Sequence, residues 1–180
     1  GAGGPIRAVI TNGTTGIDAP TLDALADLEI VCSFSAGYEN VDVARARERG
    51  IAVTHGPGVN APSAADHAIG LMIASARGIT SRDRMVRGGE WAAARRLAAT
   101  VSGKRLGILG LGAVGVEIAR RAGAFDMSIA YCNRRRRDDV AFEYVDMVAA
   151  LAARSDYLIL SCPGGEATRH MVDAEVLKAL

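Results

Sequence analysis

Aromatic side chains are scarce, at 4% of the 180 residues, and there is a single tryptophan. With so few rings, base stacking on a nucleic acid has little to work with. The aliphatic, alanine-rich remainder suits an α/β protein with several buried parallel strands. The three cysteines, Cys32, Cys132 and Cys162, are odd in number, far apart and each beside an apolar stretch. They form neither a disulfide framework nor a metal-ligand spacing, and read as small reduced core residues of a cytoplasmic protein. The longest apolar stretch, Ala68 to Ala76, is far too short to span a bilayer, so no membrane partner is expected. The opening GAGGPIR has no apolar core of a signal peptide. A formal net charge of +1 gives no global pull on nucleic acid or membrane. Any basic site must therefore be local, and Arg134 to Arg137 is the candidate.

Glycine, by contrast, is plentiful, and the stretch from Lys104 to Arg137 organises the chain around it. Leu106 to Leu109 reads as a buried strand. Gly110, Gly112 and Gly115 follow in G-x-G-x-x-G spacing, and an amphipathic helix runs from Val114 to Phe125. Ser128 to Cys132 is the next strand. Strand, glycine turn, helix and strand in this order are the setting a dinucleotide fingerprint requires. Gly110 permits the tight turn, Gly112 lets a pyrophosphate approach the backbone, and Gly115 lets helix and sheet close up. The amides of Ala113 and Val114 then face the phosphates at the positive end of the helix. A glycine-rich turn with no ligand is the competing reading.

The end of the second strand selects the nucleotide. An NAD site usually places an acid there, about 20 residues past the glycines, to accept from the ribose hydroxyls. Here Asn133 holds that place, with Arg134 and Arg135 behind it as candidate ligands for a 2′-phosphate. A carboxylate repels that phosphate, whereas guanidinium groups bond it with charge assistance. Arg136 and Arg137 read as solvated. The cofactor expected is NADP(H), against an exposed basic loop or a nucleic-acid patch.

Along the rest of the chain, strands at Ile6–Thr11, Glu29–Phe34 and Ile51–Thr54 alternate with helices capped by Asp18 and Asp42. Such βαβ repetition implies a parallel sheet with ligands beyond the strand C-termini. Two loops lie there, Ser35 to Asn40 and Gly56 to Ser63. The amides of Ala36 and Gly37 suit a small carboxylate, though an ordinary turn has the same composition. Ser63 is expected to cap one long helix running through to Gly89, with a centre apolar almost all round and therefore buried. Gly88, Gly89 and Trp91 mark the expected boundary, Trp91 being packed at the junction. The domains expected are 1–87 and 88–180. Strands at Phe142–Val145 and Tyr157–Ser161 follow, the second ending in Cys162, Pro163 and two glycines. Asp146 and Asp173 open the remaining helices.

With TNGTTGID, SFSAGYENVD, RERGIAVTHGPGVN, AADHAIGLMIASAR, RGGEW, SGKRLGILGLGAVG and LSCPGGEATRHMV in family order over nearly the whole chain, the sequence resembles the D-isomer-specific 2-hydroxyacid dehydrogenases. The similarity is greatest to their NADP-preferring glyoxylate/hydroxypyruvate reductase branch. The resemblance implies two doubly wound parallel-sheet domains, a flavodoxin-like substrate domain and a Rossmann NADP domain, both incomplete here. It also implies a cleft between them for substrate and cofactor, and a homodimer. Ala36 and Gly37 take on the family's carboxylate loop, and Asn60 lies on a loop facing the active site. Asn133, Arg134 and Arg135 match the NADP branch, while Cys162, Pro163 and Thr168 match positions lining the adenosine and ribose side. The family's catalytic arginine, carboxylate and histidine are expected beyond residue 180. His55, His67 and His170 read as structural, so no catalytic residue is assigned. The activity implied is NADPH-dependent reduction of a small 2-keto acid. The alternative is an inactive NADP(H)-binding module that senses cofactor or binds a partner.

Overall fold

A computed structural model describes residues 4–180. The first three residues of the GAGGPIR opening, and with them the start of the expected 1–87 domain, lie outside the described residues. The chain forms two compact units, one ending at Asn60 and the other Ala61–Leu180.

The first unit runs β1 (Ala8–Thr11), α1 (Ala19–Ala24), β2 (Ile30–Ser33), α2 (Val43–Glu48) and β3 (Ala52–Thr54). Its strands are parallel in the order β1-β2-β3. Because strand side chains alternate between faces, Val9, Val31 and Val53 line up in register on one side. There they pack with Leu22, Leu28, Val41 and Ala46 from the helical side of the unit. On the other face Ile10, Cys32 and Thr54 align, and Ile10 is 76% exposed. Both helices begin at the expected aspartates. Asp18 accepts from the Thr21 amide at 3.0 Å and Asp42 from the Arg45 amide at 2.8 Å. Each cap satisfies an amide that the helix cannot, worth about 1 kcal/mol.

The second unit starts with three helices, α3 (Ala61–Arg77), α4 (Ile79–Arg87) and α5 (Trp91–Ala94). It continues through β4 (Arg105–Leu109), α6 (Ala113–Gly123), β5 (Ser128–Cys132), β6 (Glu143–Tyr144), α7 (Val148–Ala153), β7 (Tyr157–Leu160) and α8 (Ala174–Ala179). Its four parallel strands lie in the order β6-β5-β4-β7, so the chain leaves the centre in one direction and returns to β4's other side with β7. Such a reversal opens a crevice at the strand C-termini. Leu106 and Ile108 of β4 point into a core with Ala65, Ile69, Met72, Ile118 and Ala122 of α3 and α6. Leu109 joins Leu151 in a core on the α7 side. A Cβ at Gly107 would lie 3.1 Å from Leu151 Cγ, so glycine lets α7 settle close to the strand. Burying an aliphatic chain this completely contributes about 1.5–3 kcal/mol.

Several expectations change. The long helix breaks at Gly78, whose φ of 60° is left-handed, so α3 and α4 are separate helices. Ser63 lies inside the first turn of α3, which starts at Ala61, and is no cap. The helix is one-sided: Ala65, Ile69 and Met72 recur at helical spacing on its buried stripe, while Leu71 is exposed. Because that stripe packs in the α6 core, α3 belongs with the second unit, and the division falls at Asn60 and not at residues 87–88. Trp91 is 61% exposed, so it is not packed into a junction among the described residues. Helix α7 starts at Val148, two residues past the expected Asp146.

At the far end of the β4 sheet, Arg105 clasps Asp156. Nη2 donates to Oδ1 at 2.8 Å, and the Arg105 amide donates to Oδ2 at 2.8 Å. The guanidinium bonds hold the Asp156 carboxyl well below the usual carboxylate range. A lowered folded pKa means this contribution is present above the unfolded-state value, about 3.9, and is lost as pH falls through the folded one. Asp156→Asn is therefore expected to lower the melting temperature at pH 7, with the gap to the parent closing as thermal melts are taken below about pH 4.

Candidate functional site

The three glycines of the fingerprint meet different surroundings. Gly110 has φ of 100°, and a Cβ there would lie 2.5 Å from the Cys162 amide nitrogen, so only glycine fits. A Cβ at Gly115 would run into the Gly110 carbonyl oxygen. Gly112 is different: its φ of −86° suits any residue, and a Cβ would meet nothing within 4 Å. That side of Gly112 is open among the described residues. Beside it, the amides of Ala113 and Val114 donate to no acceptor among the described residues. They stand at the positive end of the α6 dipole, an arrangement that receives an anion.

The turn is held from both sides. The Gly110 amide donates to the Cys132 carbonyl at 2.9 Å, and Ser161 Oγ donates to the Gly110 carbonyl at 2.6 Å. Between the glycines, Leu111 has both of its backbone groups engaged. Its amide donates to Asn133 Oδ1 at 2.7 Å, and its carbonyl accepts from Arg137 Nη1 at 3.0 Å. Asn133 is thus tied to the turn through its side-chain oxygen, with its backbone carbonyl accepting from the Tyr144 hydroxyl at 3.2 Å.

The four arginines divide into two kinds. Arg134 and Arg135 are exposed and make no hydrogen bond or ion pair among the described residues. Arg136 stands 3.8 Å from Asp138. Arg137, expected to be solvated, is instead bonded to Leu111 and paired with Asp139, and the bonds to that carboxylate push the guanidinium pKa up further. The charge run carries no sign of this difference, because the tether comes from Asp139 two positions on and from a turn far back in sequence.

The loop after β7 borders the same turn, since the backbone of Cys162 limits Gly110. Cys162 is half-buried and Pro163 exposed. Thr168 Oγ1 donates to the Pro163 carbonyl at 2.8 Å, closing the loop. In the first unit, carbonyls of the SFSAGYEN loop are pinned: Ser33 Oγ donates to that of Gly37 at 2.8 Å, and His55 Nδ1 lies 2.9 Å from that of Ala36. The amides of Ala36 and Gly37 have no acceptor among the described residues. Asn60 ends this unit, exposed. Sequence reasoning misses the roles of Ser33 and His55, since no local pattern links either side chain to the carbonyl it meets. The His55 ring also lies tilted against Tyr38, with centroids 4.7 Å apart, and His55, His67 and His170 are all exposed. Among the described hydrogen bonds no histidine pairs with a carboxylate. Nor do three metal-ligating side chains come together among the described residues, and no helix is long and apolar enough to cross a membrane.

A parallel sheet in this order, with open amides beyond its central strand, is a dinucleotide-binding architecture. Residues 69–180 match the family described as D-isomer specific 2-hydroxyacid dehydrogenase, NAD binding domain, and the chain belongs to that family. It is 45% identical over 176 residues to a glyoxylate/hydroxypyruvate reductase A of Arabidopsis thaliana, covering 97% of this chain and 56% of that protein. A hydroxyphenylpyruvate reductase of Plectranthus scutellarioides is 43% identical over the same length, with the same coverage of each chain. The NADPH-dependent glyoxylate/hydroxypyruvate reductase of Sinorhizobium meliloti, solved with NADP and malonate, superposes with a TM-score of 0.88 at 38% identity, over 97% of this chain and 55% of that one. The chain thus spans little more than half the length of these relatives.

Proposed function

We propose that the protein bearing this sequence is an NADPH-dependent reductase of small 2-keto acids, glyoxylate and hydroxypyruvate first, yielding D-2-hydroxy acids (for glyoxylate, achiral glycolate). The observation that carries the cofactor choice is the pair Arg134 and Arg135, free of protein partners among the described residues at the strand end where an NAD site keeps an acid. The residues fit the nucleotide. Ala113 and Val114 amides hold the pyrophosphate, with the uncrowded face of Gly112 letting it approach. Asn133, Arg134 and Arg135 hold the 2′-phosphate end. Cys162, Pro163 and Thr168 line its ribose side. When bound, the nicotinamide supplies a hydride to the keto carbon. The free amides of Ala36 and Gly37 are read as holding the substrate carboxylate, and Asn60 as a residue of the substrate loop. None of the three histidines is assigned the proton that completes the alcohol. The family's arginine, carboxylate and histidine are not assigned among these 180 residues, which span 56% and 55% of the length of two relatives.

The two domains are read as a substrate domain and a nucleotide domain, and the assembly as a homodimer. Support for the dimer comes from the exposed apolar side chains Val86, Trp91 and Leu97 on and after α4 and α5. The deciding experiment assays the full-length protein with NADPH and NADH against a panel of 2-keto acids. Turnover with NADPH and glyoxylate or hydroxypyruvate is expected, from a sample of dimer mass. Tight NADPH binding with no turnover of any keto acid would favour the inactive-module reading instead.

A further inference from the structure

Arg137 stands apart from the other arginines in where its bonds go. Its amide donates to Tyr131 Oη at 2.8 Å, and the Tyr131 hydroxyl donates back to its carbonyl at 3.2 Å. Tyr131 is fully buried, so this end of the loop is moored in the core. From there the side chain reaches across the turn. Nη1 donates to the Leu111 carbonyl at 3.0 Å, while Nε donates to Asp139 Oδ1 at 2.9 Å and Nη2 pairs with Oδ2. The side chain is 31% exposed, against 72% for Arg136. Its fork of donors is already directed at protein acceptors.

We infer that Arg137 is a positioning residue for the pyrophosphate turn and takes no part in choosing between nucleotides. With Asn133 on the Leu111 amide and Arg137 on the Leu111 carbonyl, the peptide planes leading into Gly112 are set before a ligand arrives. Asp139 holds the guanidinium in this orientation and neutralises it, which lowers its attraction for a phosphate. This rests on the nucleotide reading above, but it divides the arginine run: Arg134 and Arg135 recognise the nucleotide, and Arg137 holds the turn.

Arg137→Ala keeps the backbone bond to Tyr131, so the loop stays moored while the clasp on Leu111 and the pair with exposed Asp139 are lost. Calorimetric titration is expected to show NADPH and NADH weakened by the same factor, about tenfold, which is one charged hydrogen bond. The NADPH-to-NADH ratio stays at the parental value. In the nucleotide-free protein the NMR signal of the Gly112 amide shifts, since its peptide group has lost the bond on the Leu111 carbonyl. Arg137→Lys retains one donor and is expected to lose less than Ala for both nucleotides; it also serves if the Ala variant folds poorly. Selective loss of NADPH in either variant would make Arg137 a phosphate ligand and overturn the inference. Unchanged affinity for both nucleotides would overturn it too. A failure of the NADPH reading itself shows up elsewhere, as equal losses of both nucleotides in Arg134 and Arg135 variants.

Discussion

Gly112→Val is expected to leave a folded protein that has lost most of its affinity for nucleotide. Apart from its chain neighbours, no atom of the described residues lies within 4 Å of the new Cβ, and the φ of −86° is open to valine. The fold loses only the difference between glycine and valine at a helix start, on the order of 1 kcal/mol. The branched side chain then occupies the space that the pyrophosphate needs and covers the amides of Ala113 and Val114. Affinity for NADPH and NADH is expected to fall by about a hundredfold or more, equivalent to about 3 kcal/mol. The contrast is Gly115→Val, where the same side chain strikes the Gly110 carbonyl and wedges helix α6 off the sheet. That variant is expected to lose about 3 kcal/mol or more of stability, because overpacking a closed contact strains the core. Thermal melts and titrations on the two variants check both halves. A Gly112→Val protein with parental affinity would remove the phosphate site from this turn.

The double variant Arg134→Ala, Arg135→Ala separates the two nucleotides. Neither side chain has a protein partner among the described residues, so their removal leaves nothing buried and unpaired, and the melting temperature stays put. With two charge-assisted contacts to the 2′-phosphate lost, at about 1.5 kcal/mol each or more, NADPH is expected to weaken about a hundredfold while NADH changes by less than about twofold. Because the guanidinium groups are exposed, a preference for NADPH that rests on them is expected to shrink as ionic strength rises. Equal losses for both nucleotides would show that the arginines serve some general role and would end the case for NADPH.

Much of this is legible in the chain. The order of strand, glycine turn, helix and strand around Gly110 appears where the spacing places it, and Ser128–Cys132 is a strand over its full predicted length. Asp18, Asp42 and Asp173 cap the helices assigned to them, since a short acidic side chain before an amphipathic stretch has a local cause and a local effect. What escapes the sequence depends on contacts between distant residues. The break at Gly78 looks like any glycine in a helical pattern until its left-handed φ is seen. The membership of α3 follows from Ala65, Ile69 and Met72 meeting α6, a pairing that no local pattern announces. Four arginines in a row are chemically identical on paper. The reach from Arg137 back to Leu111, with its pair to Asp139, tells the last from the first two.

Leu111, tied at its nitrogen by Asn133 and at its oxygen by Arg137, has a kinetic corollary. A receptor already shaped for its guest need not wait for a rare conformation, so both coenzymes encounter it at similar speed. The proposed discrimination between them is then expected in how long each stays. In a stopped-flow experiment the phosphorylated form should differ chiefly in departing slowly, and shortening that dwell is what stripping away Arg134 and Arg135 would accomplish.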